Sequence, residues 1–201
     1  MPTRTRTRSS VTTITHETKK EATLTMCIAA ISKTGGFKEQ ELSQFFRANR
    51  HGGGFAYAED GKIFTHRHIM VESDYIEQGM RLADKENLVT HCRIATSGGI
   101  IPDNAHPFIM ENSVLVHNGV LYGTNGTMSD TRDFVEETKT LLDDQALMDN
   151  PIVIKRLGDV IGTYNKLILL YKDKTFKIVN ESQGYWKENT WYSNNHWNYA
   201  K

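Results

Sequence analysis

The chain has 201 residues, the length of one ordinary domain. Its 24 Lys and Arg balance 24 Asp and Glu, which removes the electrostatic case for binding nucleic acid or an anionic membrane surface. Hydrophobic residues make up 38% of the chain, enough for a core, yet no apolar run is long enough to cross a bilayer.

Residues 1–26 differ from the rest. Arg4, Arg6 and Arg8 alternate with Thr3, Thr5 and Thr7, and there is no aromatic residue and little to bury, so the segment reads as a disordered extension. It lacks the apolar stretch of a secretory signal, and Glu17 and Glu21 speak against a transit peptide. Residues 27–201 read as one domain. Cys27 to Ser32 is a short apolar strand, ended by the turn signal Lys33-Thr34-Gly35-Gly36. Glu39 to Asn49 carries Leu42, Phe45 and Phe46 at helical spacing. Gly54 to Ala58 and Lys62 to His66 form a predicted hairpin around Asp60-Gly61. Tyr75, Ile76, Met80 and Leu82 mark a second helix, and Leu88 to Ala95 and Ser113 to Val120 read as buried strands. Asp130 to Leu142 and Pro151 to Ile161 are helices, the second with Pro at its start. Leu167 to Tyr171 and Thr175 to Val179 form a hairpin around Asp173-Lys174, and Gln183 to Trp186 and Trp191 to Ser193 are the last strands. Strands and helices fall into groups, which predicts an α+β domain with paired sheets covered by helices.

Several residues carry chemistry. Cys27 on a strand is an ordinary core thiol; at the start of a chain it holds a nucleophile and an amine base together. A thiol titrates near 8.5 and an α-amine near 7.7–8.0, so the amine can take the thiol proton. Cys92 reads as core. Cys27 and Cys92 make no disulfide framework, and no Cys/His pair has zinc spacing, which suits a reducing cytoplasm. Arg93, at a strand end before Thr96-Ser97-Gly98-Gly99, fits a bidentate carboxylate pair or a surface salt bridge equally well. Asn118-Gly119 is a strong hairpin signal, and it can also aim an amide NH2 and a backbone N–H in one direction as oxyanion donors. Ser129-Asp130-Thr131 caps a helix, or Asp130 receives an ammonium. His106, in Asn104-Ala105-His106-Pro107-Phe108, reads as a hydrogen-bonding prop.

In order and spacing these motifs resemble the class II glutamine amidotransferase domain of the N-terminal nucleophile hydrolases. The resemblance rests on Met26-Cys27, His91 to Gly98, Asn104 to Pro107, His117-Asn118-Gly119 and Ser129 to Thr131, with His51-Gly52-Gly53-Gly54-Phe55-Ala56 similar to the family's Gly-rich strand. It implies a four-layer αββα sandwich of two mainly antiparallel sheets, with the cysteine on a central strand. It implies that Cys27 is the nucleophile, Asn118 and Gly119 form the oxyanion hole, Arg93 and Asp130 hold the α-carboxylate and amine of glutamine, and Thr96 and His106 stand beside the substrate. The steps need no metal and no organic cofactor. With one glutaminase domain in the chain, the ammonia acceptor is expected to be a synthetase on a separate chain.

Two features depart from the family pattern. Ile94 stands where an aromatic residue is common, and Cys27 is not residue 1. Either residues 1–26 are removed, or translation starts at Met26; Lys19-Lys20-Glu21-Ala22 would be encoded by purine-rich codons resembling a ribosome-binding site. A γ-glutamyl amide or dipeptide hydrolase would use the same residues. An internal Cys27 would instead make the chain a non-catalytic binding or regulatory module, and an autoprocessed precursor is a third alternative. Trp186, Trp191, Trp197, Tyr192 and Tyr199 crowd the last stretch, as closing strands or as a docking surface.

Overall fold

The computed structural model describes residues 26–121 and 126–199. Residues 1–25 of the expected disordered extension, 1–26, lie outside the described residues. Fifteen helices and strands follow one another: β1 (Ile28–Ser32), α1 (Glu39–Ala48), β2 (Gly53–Glu59), β3 (Lys62–Ile69), α2 (Glu72–Arg81), β4 (Leu88–Cys92), β5 (Phe108–Ile109), β6 (Ser113–Asn118), α3 (Asp130–Leu142), α4 (Gln145–Met148), α5 (Pro151–Ile161), β7 (Lys166–Tyr171), β8 (Phe176–Val179), β9 (Tyr185–Lys187) and β10 (Thr190–Tyr192). The protein is α+β, with a six-stranded sheet in the order β3-β2-β4-β1-β10-β9 and a four-stranded sheet in the order β5-β6-β7-β8. Every neighbouring pair is antiparallel.

Local chemistry explains most boundaries. Asp60 and Gly61 both adopt positive φ, 51° and 69°, which matches the twist of the β2–β3 hairpin. The Asn150 side chain accepts the Ile152 N–H at 2.9 Å and Pro151 opens α5, while Gly162 with φ 86° closes it. Gly54 has no room for a side chain, because a Cβ there would press on the carbonyls of His106 and of His66.

Strand alternation sorts the residues onto two faces. Ile28 and Ala30 of β1, with Leu88 and Cys92 of β4, join Leu42, Phe45, Phe46 and Tyr75 in a cluster under α1 and α2. Their neighbours Ala29, Ile31 and Val89 face the other way, onto Val114 and Val116 of β6 and Ile168 and Leu170 of β7. Leu115, Leu167, Leu169 and Tyr171 turn outward from the second sheet onto Val135, Leu142, Met148 and Ile161 of the later helices. Burying such side chains stabilises by about 1.5–3 kcal/mol each.

Three expectations need correction. The Leu88 to Ala95 strand stops at Cys92, so Arg93 leads a loop rather than lying in a strand. The Ser113 to Val120 strand stops at Asn118. Glu181–Gln183 is a 3₁₀ turn, and β9 starts only at Tyr185. Of the two readings of the C-terminal aromatics, the structure fits closing strands: Trp191 and Tyr192 of β10 are buried, as is Trp197, while Trp186 is partly exposed beneath the Lys33 ammonium at 4.4 Å. Among the described residues, no helix is long and apolar enough to cross a membrane.

Candidate active site

Cys27 immediately precedes β1, the strand flanked by β4 and β10 in the six-stranded sheet. Register fixes its surroundings. Ile28 pairs with Cys92, so one step further back Cys27 meets the start of the Arg93 loop. Its Sγ accepts the Ile94 N–H at 3.3 Å and lies 3.4 Å from the Ile94 carbonyl. The Cys27 carbonyl accepts from the side-chain amides of Asn118, at the end of β6, and of Asn194 at 2.8 Å. An amide NH2 has two hydrogens, so Asn118 keeps one for another acceptor.

The structure brings together Cys27, Arg93, Thr96, His106, Gly119 and Asp130 around one cleft, with Asn118 on the Cys27 carbonyl beside it. Arg93 is buried, and its Nη1 and Nη2 donate to the carbonyls of Gly99 at 3.0 Å and Ser97 at 2.6 Å. Three of its five N–H groups remain for a ligand carboxylate. Asp130 opens α3 and accepts the N–H of Leu121 at 2.7 Å and of Thr131 at 2.8 Å. Ser129 caps that helix through the Arg132 N–H, as the sequence indicates, so the capping and ligand readings of this motif fall on adjacent residues. The cleft holds about 10 Å³ of free space, room for about one water, so it admits an amino acid only when its walls part.

Side chains with no role assigned from the sequence hold these groups in place. Asn104 donates to the carbonyls of Gly99 and Thr127 and accepts the Ser129 N–H, tying the Arg93 loop to the start of α3. The Ser97 hydroxyl accepts the Asp130 N–H at 3.1 Å. Asn165 donates to the Ile161 carbonyl, which leaves its Oδ1 to accept from His117 Nε2 at 2.8 Å. That assigns the His117 proton to Nε2, so its Nδ1 accepts the Thr131 hydroxyl at 2.7 Å. A Cβ on Gly119 would fall on this same Asn165 amide. The only sequence signal for Asn165 is a polar residue just before a predicted strand, which marks any loop.

With this geometry in view, the chain can be set beside known proteins. No family model and no curated protein matches it. Among solved structures it is similar to the glutamine phosphoribosylpyrophosphate amidotransferase from B. subtilis complexed with ADP and GMP, at 13% identity and a TM-score of 0.44. The similarity covers 83% of this chain and 41% of that one, so the chain spans less than half of that protein's length.

The electrostatics limit what each group can do. Burial pushes the Cys27 thiol up to about 11, against smaller opposing effects from the Ile94 N–H and the Arg93 charge. At neutral pH the sulfur therefore keeps its proton unless a base removes it. Among the described residues no side-chain base hydrogen-bonds to Sγ. Burial also lowers His106 and His117, so both cleft histidines are neutral. His106 Nδ1 accepts the His117 backbone N–H at 3.3 Å. No group of three or more His, Cys, Asp or Glu among the described residues has an arrangement that could hold a metal ion.

Behind the cleft, the His91 ring lies tilted against that of His106, with ring centroids 3.8 Å apart. The His117 backbone lies near enough to favour the charged ring slightly, but neither His91 nitrogen makes a hydrogen bond. Burial lowers His91 to about 3. Between the ordinary value of 6.5 and 3, the unfolded chain binds a proton that the fold refuses, so stability is full above 6.5 and falls as pH drops. By pH 5 this one residue costs roughly 2 kcal/mol. Denaturant titrations at pH 7 and pH 5 should show that loss, and His91→Leu should reduce it. An unchanged pH dependence in the variant would refute the assignment.

Proposed function

We propose that this chain hydrolyses the side-chain amide of glutamine through a thioester on Cys27 and supplies the ammonia to a synthetase on another chain, in the manner of class II glutamine amidotransferases. One observation carries the reading: a protonated thiol without a side-chain base adjoins a cleft with a guanidinium on one wall and a carboxylate on another. That pair matches the two charged ends of an α-amino acid. The missing base is supplied if Cys27 is the first residue, because its own amine then lies within reach of its sulfur. The four-layer sandwich of the N-terminal nucleophile hydrolases belongs to the same proposal, supported by two antiparallel sheets with helices on their outer faces. So does a cytoplasmic location.

In this mechanism Arg93 takes the α-carboxylate and Asp130 the α-ammonium, with Thr96 and His106 lining the pocket. The Cys27 sulfur attacks the side-chain carbonyl as the amine accepts its proton. The spare Asn118 amide hydrogen and the Gly119 N–H receive the developing oxyanion. The amine gives its proton to departing ammonia, and water then releases glutamate.

The direct test is to sequence the N-terminus of the protein made in its native host and assay it for glutamate and ammonia from glutamine. A Cys27 start with activity supports the proposal, and an internal Cys27 with full activity refutes it. An internal Cys27 without activity favours the binding-module reading. A further prediction concerns Arg93. Arg93→Ala should raise the KM for glutamine by about 10–100-fold, the worth of lost charge-assisted hydrogen bonds. Arg93→Lys should fall between, because an ammonium keeps the charge and loses the fork. Initial-rate kinetics over a range of glutamine concentrations check both.

A further inference from the structure

We propose that this site also hydrolyses γ-glutamyl amides whose leaving amine carries an apolar group, with a higher kcat/KM than glutamine; this rests on the amide hydrolysis proposed above and adds a second substrate class to it. The starting point is a second concavity. A groove of about 680 Å³ shares Cys27, Thr96 and Gly119 with the polar cleft and continues past Met26, Val120, Leu121, Ile161 and Tyr164. The two spaces meet at the reacting sulfur, one charged and nearly filled, the other open and apolar.

Direction follows from the chemistry. The amine that leaves takes its proton from the Cys27 nitrogen, so it departs on that nitrogen's side. Met26 is bonded to the same nitrogen, and it lines the groove but not the polar cleft. The amino-acid end of the substrate therefore lies toward Arg93 and Asp130, and whatever the amide nitrogen carries lies in the groove. Loss of Met26 enlarges that end.

The lining sets the character of the group. No Asp, Glu, Lys or Arg borders the groove among the described residues. Asn165 spends both polar ends of its side chain on His117 and the Ile161 carbonyl. An amine bearing a carboxylate, as in a γ-glutamyl dipeptide, would find no Lys or Arg there, only the His196 imidazole among the lining. Val120 and Tyr164 are 58% and 81% exposed, apolar surface beside a nucleophile that a bare ammonia would leave uncovered. An aromatic or branched amine covers it.

The reaction balances without a further reagent. The carbonyl carbon gains a bond to sulfur and loses its bond to nitrogen, and the thiol proton travels through the Cys27 amine to the departing apolar amine. Water then cleaves the thioester, giving glutamate and restoring the thiol.

The experiment compares kcat/KM for L-glutamic acid γ-benzylamide, γ-glutamylglycine and glutamine, on the full chain and on a chain beginning at Cys27. The benzylamide should exceed both others by about tenfold or more, as expected for burying a phenyl group. Tyr164→Asp and Val120→Asp, both at exposed positions, should lower the benzylamide rate by about tenfold and leave glutamine within about twofold. If glutamine is turned over and the benzylamide is no better than γ-glutamylglycine, the inference is overturned and the glutaminase reading stands. Equal effects of the variants on all three substrates, or no effect, also overturn it. If neither chain acts on any of the three, both readings fall.

Discussion

A chain that begins at Cys27 is expected to turn glutamine over, and the same chain with Met26 attached is expected to be slower by about 10²–10⁴-fold, the contribution of a general base. The expectation follows from the surroundings of the sulfur. Its thiol is raised to about 11, its hydrogen bonds are with the Ile94 backbone, and the cleft histidines His106 and His117 are neutral and engaged elsewhere. A peptide nitrogen has no lone pair to offer, whereas a terminal amine does. The activity of the Cys27-initiated chain should rise with pH around 8, where an α-amine loses its proton. Removing the nucleophile with Cys27→Ala should cost about 10⁴-fold or more while leaving the fold intact, because the residue lies outside β1. Steady-state rates from pH 6 to 9 on the two chains and the alanine variant decide this, and equal rates for the two chains would end the terminal-amine mechanism.

The second large effect is expected at Gly119. Its φ of 146° is a conformation that L side chains rarely adopt, and a Cβ there would strike the Asn165 side chain and come within 2.9 Å of the Asn165 Cα. Asn165 has little freedom to yield. Its amide is held by His117 and the Ile161 carbonyl, and its own carbonyl accepts from Asn180 Nδ2 at 2.8 Å. Gly119→Ala should therefore cost about 1–3 kcal/mol of stability from backbone strain. It should also turn the Gly119 N–H away from the oxyanion, lowering kcat by about 10²–10³-fold. Asn165→Ala added to Gly119→Ala removes the side-chain clash but not the strained φ, so stability should recover only in part. Denaturant unfolding and kcat for the single and double variants check this. A Gly119→Ala protein with native stability and rate would contradict it.

What the sequence made legible was what repeats or punctuates. The helix with Leu42, Phe45 and Phe46 lies where its period put it, and both hairpins turn at Asp60-Gly61 and Asp173-Lys174. Strand β5, two residues long, and α4, four residues long, are too short to show a period. The strand ending in Asn118-Gly119 carries a hairpin signal, but its neighbours are the earlier β5 and, 48 residues on, β7, and the next element among the described residues is the helix α3. Proximity in space decided that pairing, and nothing local to the two residues encodes it.

The candidate site divides in the same way. Cys27, Arg93, Asn118, Gly119 and Asp130 could be named because each sits in a short polar motif beside an apolar run. The supports Ser97, Asn104 and Asn165 could not be ranked, since their hydrogen bonds join segments far apart along the chain. Nor could the sequence tell that the cleft is nearly filled, or that His91 is buried without a partner. Those are properties of packing between the two sheets.

Strand β10 lies directly against β1, and beyond it the Ser193 hydroxyl accepts the Ala29 N–H while Asn194 grips the Cys27 carbonyl. The Cys27 end of the domain is thus clamped by residues made some 165 positions later. A nascent polypeptide still threaded in the ribosome has its sulfur exposed but unmoored, and it acquires that clamp only once Ser193 and Asn194 have emerged.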